Sequence, residues 1–308
     1  MLDLIIIGAG PAGLTAGLYA GRYRMSAVIL EKLSPGGQIM LSPDIHNFPG
    51  FPGGVTTTEL IDRMKKQVDD VGVKIEDSQV TGIESVVEEG RNGFIVRGAD
   101  NKVMAAKTVI IATGATWKHL GVPGEEKMIG RGVSYCGTCD GPLFRNKDII
   151  VVGGGDRALE DALYLTAYAS SIRLVHRRQG FRAAKILEEK VRSDPKITLV
   201  LDSVVEEING TAKVESVRIK NVKTGADTTQ PCQGVFIFVG IAPSAVFARD
   251  MVKTDETGFI VTDEAMQTTV PGIFAAGDCR RKSLYQVING CGDGAVAAHA
   301  AHSYLINK

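Results

Sequence analysis

Twice in this chain a short apolar run leads into a glycine cluster and then into a helix-like stretch, and few folds accommodate that order. Leu4 to Ile7 precedes Gly8-Ala9-Gly10-Pro11-Ala12-Gly13, and Asp148 to Val152 precedes Gly153-Gly154-Gly155-Asp156-Arg157-Ala158. Strand, glycine turn and helix form the opening of a dinucleotide-binding βαβ unit. Gly8 permits the tight turn, Gly10 lets the backbone approach a pyrophosphate, and Gly13 lets the helix pack close to the strand. The phosphate then meets the free N–H groups at the helix amino terminus. An α/β chain with two Rossmann-like domains is expected.

The two units differ at their second strands. Ser26 to Leu30 ends at Glu31, whose carboxylate suits an unphosphorylated ribose. At the same offset from Gly153, the strand Ile172 to Val175 ends in His176-Arg177-Arg178. Two guanidiniums there suit a ribose 2′-phosphate through charge-assisted contacts, so NADPH is favoured over NADH.

Two further segments point to FAD at the first site. Val109 to Ile111 reads as a strand ending in Ala112-Thr113-Gly114, and Gly272 to Asp278 as another that delivers Asp278 towards a ribityl hydroxyl. Gly292-Asp293-Gly294 is read as opening a small-residue helix from Ala295 to Leu305, whose amino terminus would favour negative charge on a reduced flavin. The flavin domain would then be built from both ends of the chain.

Between the two fingerprints lies Cys136-Gly137-Thr138-Cys139-Asp140. A closed zinc site needs four ligands, and no second CxxC or nearby Cys/His pair supplies the rest. A redox dithiol is the better reading, as one end of a two-electron relay through two nucleotides. Lysine plus arginine and aspartate plus glutamate each number 35, so no general attraction to nucleic acid or an anionic membrane is expected. No apolar run approaches the ~18 residues of a membrane span. The amino terminus lacks the features of a signal peptide, and five cysteines argue against a fully paired extracellular framework. Cytoplasm is the expected location.

Taken together, Gly8 to Gly13, Pro35 to Gln38, Asn47 to Gly50, Ala112 to Gly114, Cys136 to Gly141, Gly153 to Glu160, His176 to Arg178 with Phe181 to Ala183, Gly277-Asp278 and the 286–298 region carry a resemblance over nearly the whole length. The chain resembles the low-molecular-weight, bacterial-type thioredoxin reductases of the pyridine nucleotide-disulfide oxidoreductases. The resemblance implies an NADPH domain, 116–243, inserted into a discontinuous FAD domain, 1–115 and 244–308. It places a two-stranded hinge near Thr116–Trp117 and Gly240–Pro243, and implies a homodimer acting on thioredoxin or a thioredoxin-like protein. By position, Gly8, Gly10, Gly13, Glu31, Gln38, Asn47, Gly114, Gly277, Asp278 and Gln286 would serve FAD. Gly153, Gly155, Ala158, Glu160, His176, Arg177, Arg178 and Arg182 would serve NADPH. Cys139 would be the thiol nearest the flavin, Cys136 the one attacking the partner, and Asp140 the acid protonating the leaving thiolate.

Two positions depart from the family pattern: Arg157 replaces a small hydroxyl residue, and Tyr285 stands where Arg often precedes the flavin-site Gln. Arg157 is expected either to bind the pyrophosphate or to crowd it. Cys232, Cys279 and Cys291 read as small buried hydrophobes, Trp117 as a packing residue, and His46, His119, His299 and His302 as non-ligands. A flavin dithiol oxidase or a ferredoxin-driven reductase of the same fold would have no use for Arg177 and Arg178. A peroxiredoxin-reducing relative would carry an additional amino-terminal domain. The dithiol and Asp140 weigh against a non-catalytic redox sensor.

Overall fold

The computed structural model describes residues 1–41, 44–45, 47–88 and 91–307. Among them the helices are α1 (Pro11–Arg22), α2 (Thr57–Asp70), α3 (Gly137–Asp140), α4 (Asp156–Leu165), α5 (Lys185–Ser193) and α6 (Val287–Ile306). The chain divides into two units: Met1–Thr116 with Ala242–Lys308, and Trp117–Ile241. Both crossings fall within a pair of short strands, Ala115–Trp117 and Ile241–Pro243, that bond to each other.

In the first unit the parallel strands run in the order Lys74–Asp77, Ala27–Glu31, Leu2–Ile7, Val103–Ile111, and Ile273–Ala275 lies along the last of these. Arg91–Gly98 and Val80–Glu88 extend the sheet antiparallel. Side chains alternate across a strand, so Leu4 and Ile6 face one core with Leu14, Ile110, Phe274 and Ala297, while Ile5 and Ile7 face another with Val28, Val109 and Ile273. Burial on both faces is why the opening strand reads as an unbroken apolar run.

The second unit repeats the pattern. Its parallel sheet runs Val133–Ser134, Gly234–Phe238, Asp148–Gly153, Ser171–Val175, Ile197–Val200. Ile149 and Val151 pack with Leu159 and Ala162 of α4. Ile150 and Val152 share a cluster with Val205, Val217 and Ile219 of a three-stranded antiparallel meander. The fold is therefore α/β, with one Rossmann-like unit inserted into another.

Helix α6 corrects one expectation. It begins at Val287, with Gln286 as its cap residue, so Gly292-Asp293-Gly294 lies inside the helix rather than at its start. Three glycines in five residues suggest a boundary on helix propensity alone. Tertiary contact overrides it: a Cβ at residue 294 would sit 2.1 Å from the Ala12 carbonyl oxygen, so glycine is what lets α6 lie against α1. Gly294→Val should therefore cost about 1–3 kcal/mol by overpacking, whereas a Cβ at Gly292 meets nothing within 4 Å. Gly292→Ala should be neutral or stabilising by up to ~1 kcal/mol. Urea unfolding midpoints of the two variants test this, and equal losses would refute the close approach.

Candidate functional site

At the carboxyl ends of the first unit's parallel strands, Gly8 turns the chain with φ +105°. A Cβ there would lie 2.5 Å from the Ala112 carbonyl oxygen, and one on Gly13 would lie 1.8 Å from the Gly8 carbonyl oxygen. Both positions require glycine for close backbone approach. Space around Gly10 is more open, with Gly36 O at 3.9 Å, and a Cβ on Gly114 would meet nothing within 4 Å. Glu31 is buried; its Oε2 accepts from the Ala9 N–H at 2.7 Å and its Oε1 from the Lys32 and Leu33 N–H groups at 2.9 and 3.1 Å. The carboxylate is thus fixed to the glycine turn itself.

Other candidate flavin residues, far apart in sequence, converge here. The Asn47 side-chain amide donates to Gln286 Oε1 at 2.9 Å. Gly277 and Gly290 both approach Ala12 at the start of α1. Gln38 follows Gly37, which packs over Gly10, with 3.7 Å between a Cβ on Gly37 and the Gly10 Cα. Asp278 pairs with Lys282 at 2.7 Å. The buried oxygens Thr113 Oγ1, beside the Gly8 turn, and Asn289 Oδ1, in the first turn of α6, have no protein hydrogen-bond partner. Buried polar atoms are rarely left so. Glycine turn, anchored acid and unsatisfied oxygens fit a dinucleotide.

Sequence reasoning missed the role of Asp293. Its carboxylate is buried, accepts from the Gly277 N–H at 3.0 Å, and pairs with Arg280 at 3.2 Å and Lys282 at 3.5 Å. It thereby holds the turn that presents Asp278. The available signal was an acid between two glycines, which makes little sense in a helix interior unless the side chain is used elsewhere.

In the second unit, a Cβ on Gly153 would lie 2.6 Å from the Phe238 carbonyl oxygen and 2.5 Å from the Ala158 Cβ, while Gly155 opens onto free space. His176 is buried with its ring over Gly154, stacked on Phe181 and bonded to the Gly180 carbonyl at 3.2 Å. Burial holds its pKa below the ordinary value against the opposing Gly180 hydrogen bond, and Arg177, Arg178 and Arg182 push the same way as burial, so the neutral ring is favoured. It closes a loop that the Arg182 N–H ties to the Gly154 carbonyl at 2.8 Å. Arg177, Arg178 and Arg182 on this loop are exposed, as is Glu160 on α4.

Arg157 does not reach into the turn. Its guanidinium lies 4.3 Å from the Trp117 ring and 5.8 Å from Phe238, and pairs with Asp161 at 3.6 Å. Trp117 stacks on Tyr135 as well, a packing role. Tyr285 packs near Phe259 and Lys282.

Cys136 and Cys139 are joined in a disulfide with Cα atoms 5.3 Å apart. Both are partly exposed at the start of α3, where the Cys139 N–H points at Cys136 Sγ from 3.2 Å and Thr138 Oγ1 lies 3.5 Å from it. Hydrogen bonds to a sulfur are of the kind that favour a thiolate once the disulfide is opened. Ser134 Oγ accepts from the Cys136 N–H at 3.1 Å and donates to Asp140 at 2.6 Å, linking the acid to the dithiol. The other thiols are poor competitors: burial pushes Cys232 up to about 12 and Cys279 to about 11, and raises Cys291, which is less enclosed. His299 and His302 pack on Tyr23, His119 bonds Tyr135, and His46 lies outside the described residues. Among the described residues no cluster of His, Cys, Asp and Glu could hold a metal, and no helix is long and apolar enough to cross a membrane.

Two Rossmann-like units, one carrying a closed CxxC disulfide, define a nucleotide-dependent disulfide oxidoreductase. The chain belongs to the pyridine nucleotide-disulphide oxidoreductase family, whose model matches residues 2–295. It is 42% identical to a thioredoxin reductase of Treponema pallidum (strain Nichols) over 98% of this chain and 97% of that one. It is likewise 42% identical to a thioredoxin reductase of Listeria innocua over 98% of this chain and 93% of that one. The crystal structure of thioredoxin reductase from Streptococcus pyogenes MGAS5005 superposes with a TM-score of 0.93 at 45% identity, covering 100% of this chain and 99% of that one. Flavin and nicotinamide nucleotide use follows from the family.

The buried ion pair around Asp293 yields a direct test. Asp293→Ala leaves Arg280 and Lys282 without their shared partner and should cost about 3–5 kcal/mol, together with loss of yellow flavin on gel filtration. Full retention of flavin by a folded variant would show that the Gly277–Asp278 turn does not need this anchor.

Proposed function

We propose that this chain is an NADPH-dependent thioredoxin reductase, with 1–115 and 244–308 holding FAD and 116–243 holding NADPH and the dithiol. The observation that carries the reading is the Cys136–Cys139 disulfide in the same unit as a glycine turn tied to a loop that bears three exposed arginines. When bound, FAD supplies two-electron chemistry, taking a hydride equivalent from NADPH and delivering an electron pair to a disulfide. Gly8 and Gly13 would hold the turn in shape, Gly10 and Gly114 would leave the cofactor room, and Glu31, Gln38, Asn47, Gly277, Asp278 and Gln286 would be its polar partners. Gly153, Gly155, Ala158 and Glu160 shape the NADPH turn, His176 packs it, and Arg177, Arg178 and Arg182 meet the 2′-phosphate.

Reduction opens Cys136–Cys139 to a dithiol. The Cys136 thiolate then attacks one sulfur of the thioredoxin disulfide, forming a mixed disulfide and releasing the other sulfur as a thiolate that takes a proton from Asp140. Cys139 attacks Cys136 Sγ, re-forms the internal disulfide and frees the second thioredoxin sulfur. One Cys pair must serve the flavin and a protein-sized disulfide in turn, so the cycle includes a rotation about the paired strands Ala115–Trp117 and Ile241–Pro243. We place the enzyme in the cytoplasm as a homodimer; exposed Tyr19, Ile288 and Val296 on α1 and α6 offer apolar area for pairing.

Cys136→Ser and Cys139→Ser should each bind FAD and allow its bleaching by NADPH, yet neither should reduce thioredoxin. Turnover by either single variant in a thioredoxin-coupled assay would sink the dithiol relay. Neutralising Arg177 and Arg178 removes charge-assisted contacts worth about 1.5–3 kcal/mol each. The KM for NADPH should rise by at least ~10-fold while activity with NADH changes little. Parallel losses with both nucleotides would mean that the arginines hold the loop rather than read a phosphate.

A further inference from the structure

Arg157 and Asp161 stand one turn apart on α4, and both are turned towards the CxxC segment. The Arg157 guanidinium lies 3.5 Å from the carbonyl oxygen of Tyr135, the residue that precedes Cys136. The Asp161 carboxylate, 13% exposed, packs against Gly137, between the two cysteines. A Cβ added there would sit 2.9 Å from Asp161 Oδ1 and 3.0 Å from its Cγ. A side chain other than glycine would push the carboxylate away, so the sequence keeps a negative charge directly against the turn that carries the thiols. Arg157 is held in turn by the Trp117 face at 4.3 Å and lies 3.6 Å from Asp161 Oδ2. It is therefore anchored from one side while it offsets the acid on the other.

We infer that Arg157 and Asp161 are positioning residues for the Cys136–Cys139 pair, and that their opposed charges set how much thiolate the reduced dithiol carries near neutral pH. The inference rests on the proposed role of that dithiol. A carboxylate beside the turn disfavours a second negative charge on sulfur, and the guanidinium favours it. Burial raises the Asp161 carboxyl to about 6, against the lowering effect of Arg157, and Glu160 adds to the rise. The acid thus changes charge within the range where thiol exchange operates. Tyr164, further along α4, also interacts with it, and the α3 turn packed on α4 carries Cys136, Cys139 and Asp140. The pair also accounts for the departure at position 157: the arginine serves the dithiol face of α4 rather than the nucleotide turn.

The test uses the full chain reduced with a trialkylphosphine, then iodoacetamide alkylation of Cys136 and Cys139 followed peptide by peptide from pH 5 to 9. Each thiol loses its proton to solvent, the thiolate attacks the alkylating carbon, and iodide leaves. In the unaltered protein the rate profile should show a lower inflection near 6. Asp161→Asn should remove that inflection and move the thiol midpoint down by ~0.5–1 pH unit. Arg157→Gln should move the midpoint up, and the double variant should return close to the original. Shifts of the same sign in both single variants, or no shift in either, would overturn the inference. If Asp161→Asn does not fold, a zero or downward shift in Arg157→Gln, whose side chain is 37% exposed, overturns it alone. Neither reduction nor alkylation uses NADPH, flavin or thioredoxin. Failure of the proposed enzyme activity and failure of this charge pair are therefore read separately.

Discussion

The first unit depends on how closely three stretches of backbone approach one another without side chains between them. Residue 8 lets the end of the strand Leu2–Ile7 meet the Ala112 backbone, residue 13 brings α1 onto residue 8, and residue 294 brings α6 onto α1, with imagined Cβ atoms at 2.5, 1.8 and 2.1 Å from carbonyl oxygens. No rotamer change relieves contacts of that kind, because the obstructing atoms are backbone. The strand Ile273–Ala275, just before α6 in the chain, pairs with Val103–Ile111. The carboxyl-terminal segment thereby supplies Gly277, Asp278 and Gln286 to a site opened by residue 8. The discontinuity of the unit is a packing consequence of small residues at both ends of the chain.

The second unit uses the same strand-turn-helix opening under a different local electrostatic arrangement. Where the first unit ties Glu31 to its glycine turn, the second lays the buried His176 ring over Gly154 and leaves three arginines exposed. The dithiol sits on a frame built from buried polar groups. Glu125, 1% exposed, accepts from the Leu120 and Gly121 N–H groups and from the Tyr135 hydroxyl at 2.7 Å. Burial and that carboxylate together raise the Tyr135 phenol well above its ordinary pKa, so it stays a donor. Such a satisfied network rigidifies a segment. Cys136 follows directly from it, and its N–H is fixed by Ser134 Oγ at the end of the strand Val133–Ser134.

Reactivity of the five cysteines follows from environment rather than number. Cys232 and Cys279 are enclosed among apolar side chains, where a thiolate is costly. Cys136 instead receives an N–H and lies beside a hydroxyl. Around the pair the protein places charges of both signs within one turn of helix, so its proton affinity is adjustable by small changes of sequence. An arginine at position 157 is such a change, and the Trp117 ring is what holds it there.

What the sequence by itself determined was local. Apolar runs ending in glycine clusters specify strand, tight turn and helix, because backbone sterics alone demand glycine there. A CxxC with no further ligands specifies redox chemistry, and the exchange of Glu31 for His176-Arg177-Arg178 at one offset was readable for the same reason. The start of α6 was not legible, since propensity places a boundary at Gly292-Asp293-Gly294 and only the contact with Ala12 shows why glycine is tolerated inside a helix. Nor could the direction of Arg157 be read: its position beside a phosphate turn suggested binding or crowding of a pyrophosphate, whereas the side chain lies against Trp117 and Asp161. Asp293 and Asp161 acquire their roles from groups more than ten residues away in sequence. Charge in a folded chain answers to three-dimensional neighbours and burial, and neither is written in the order of residues.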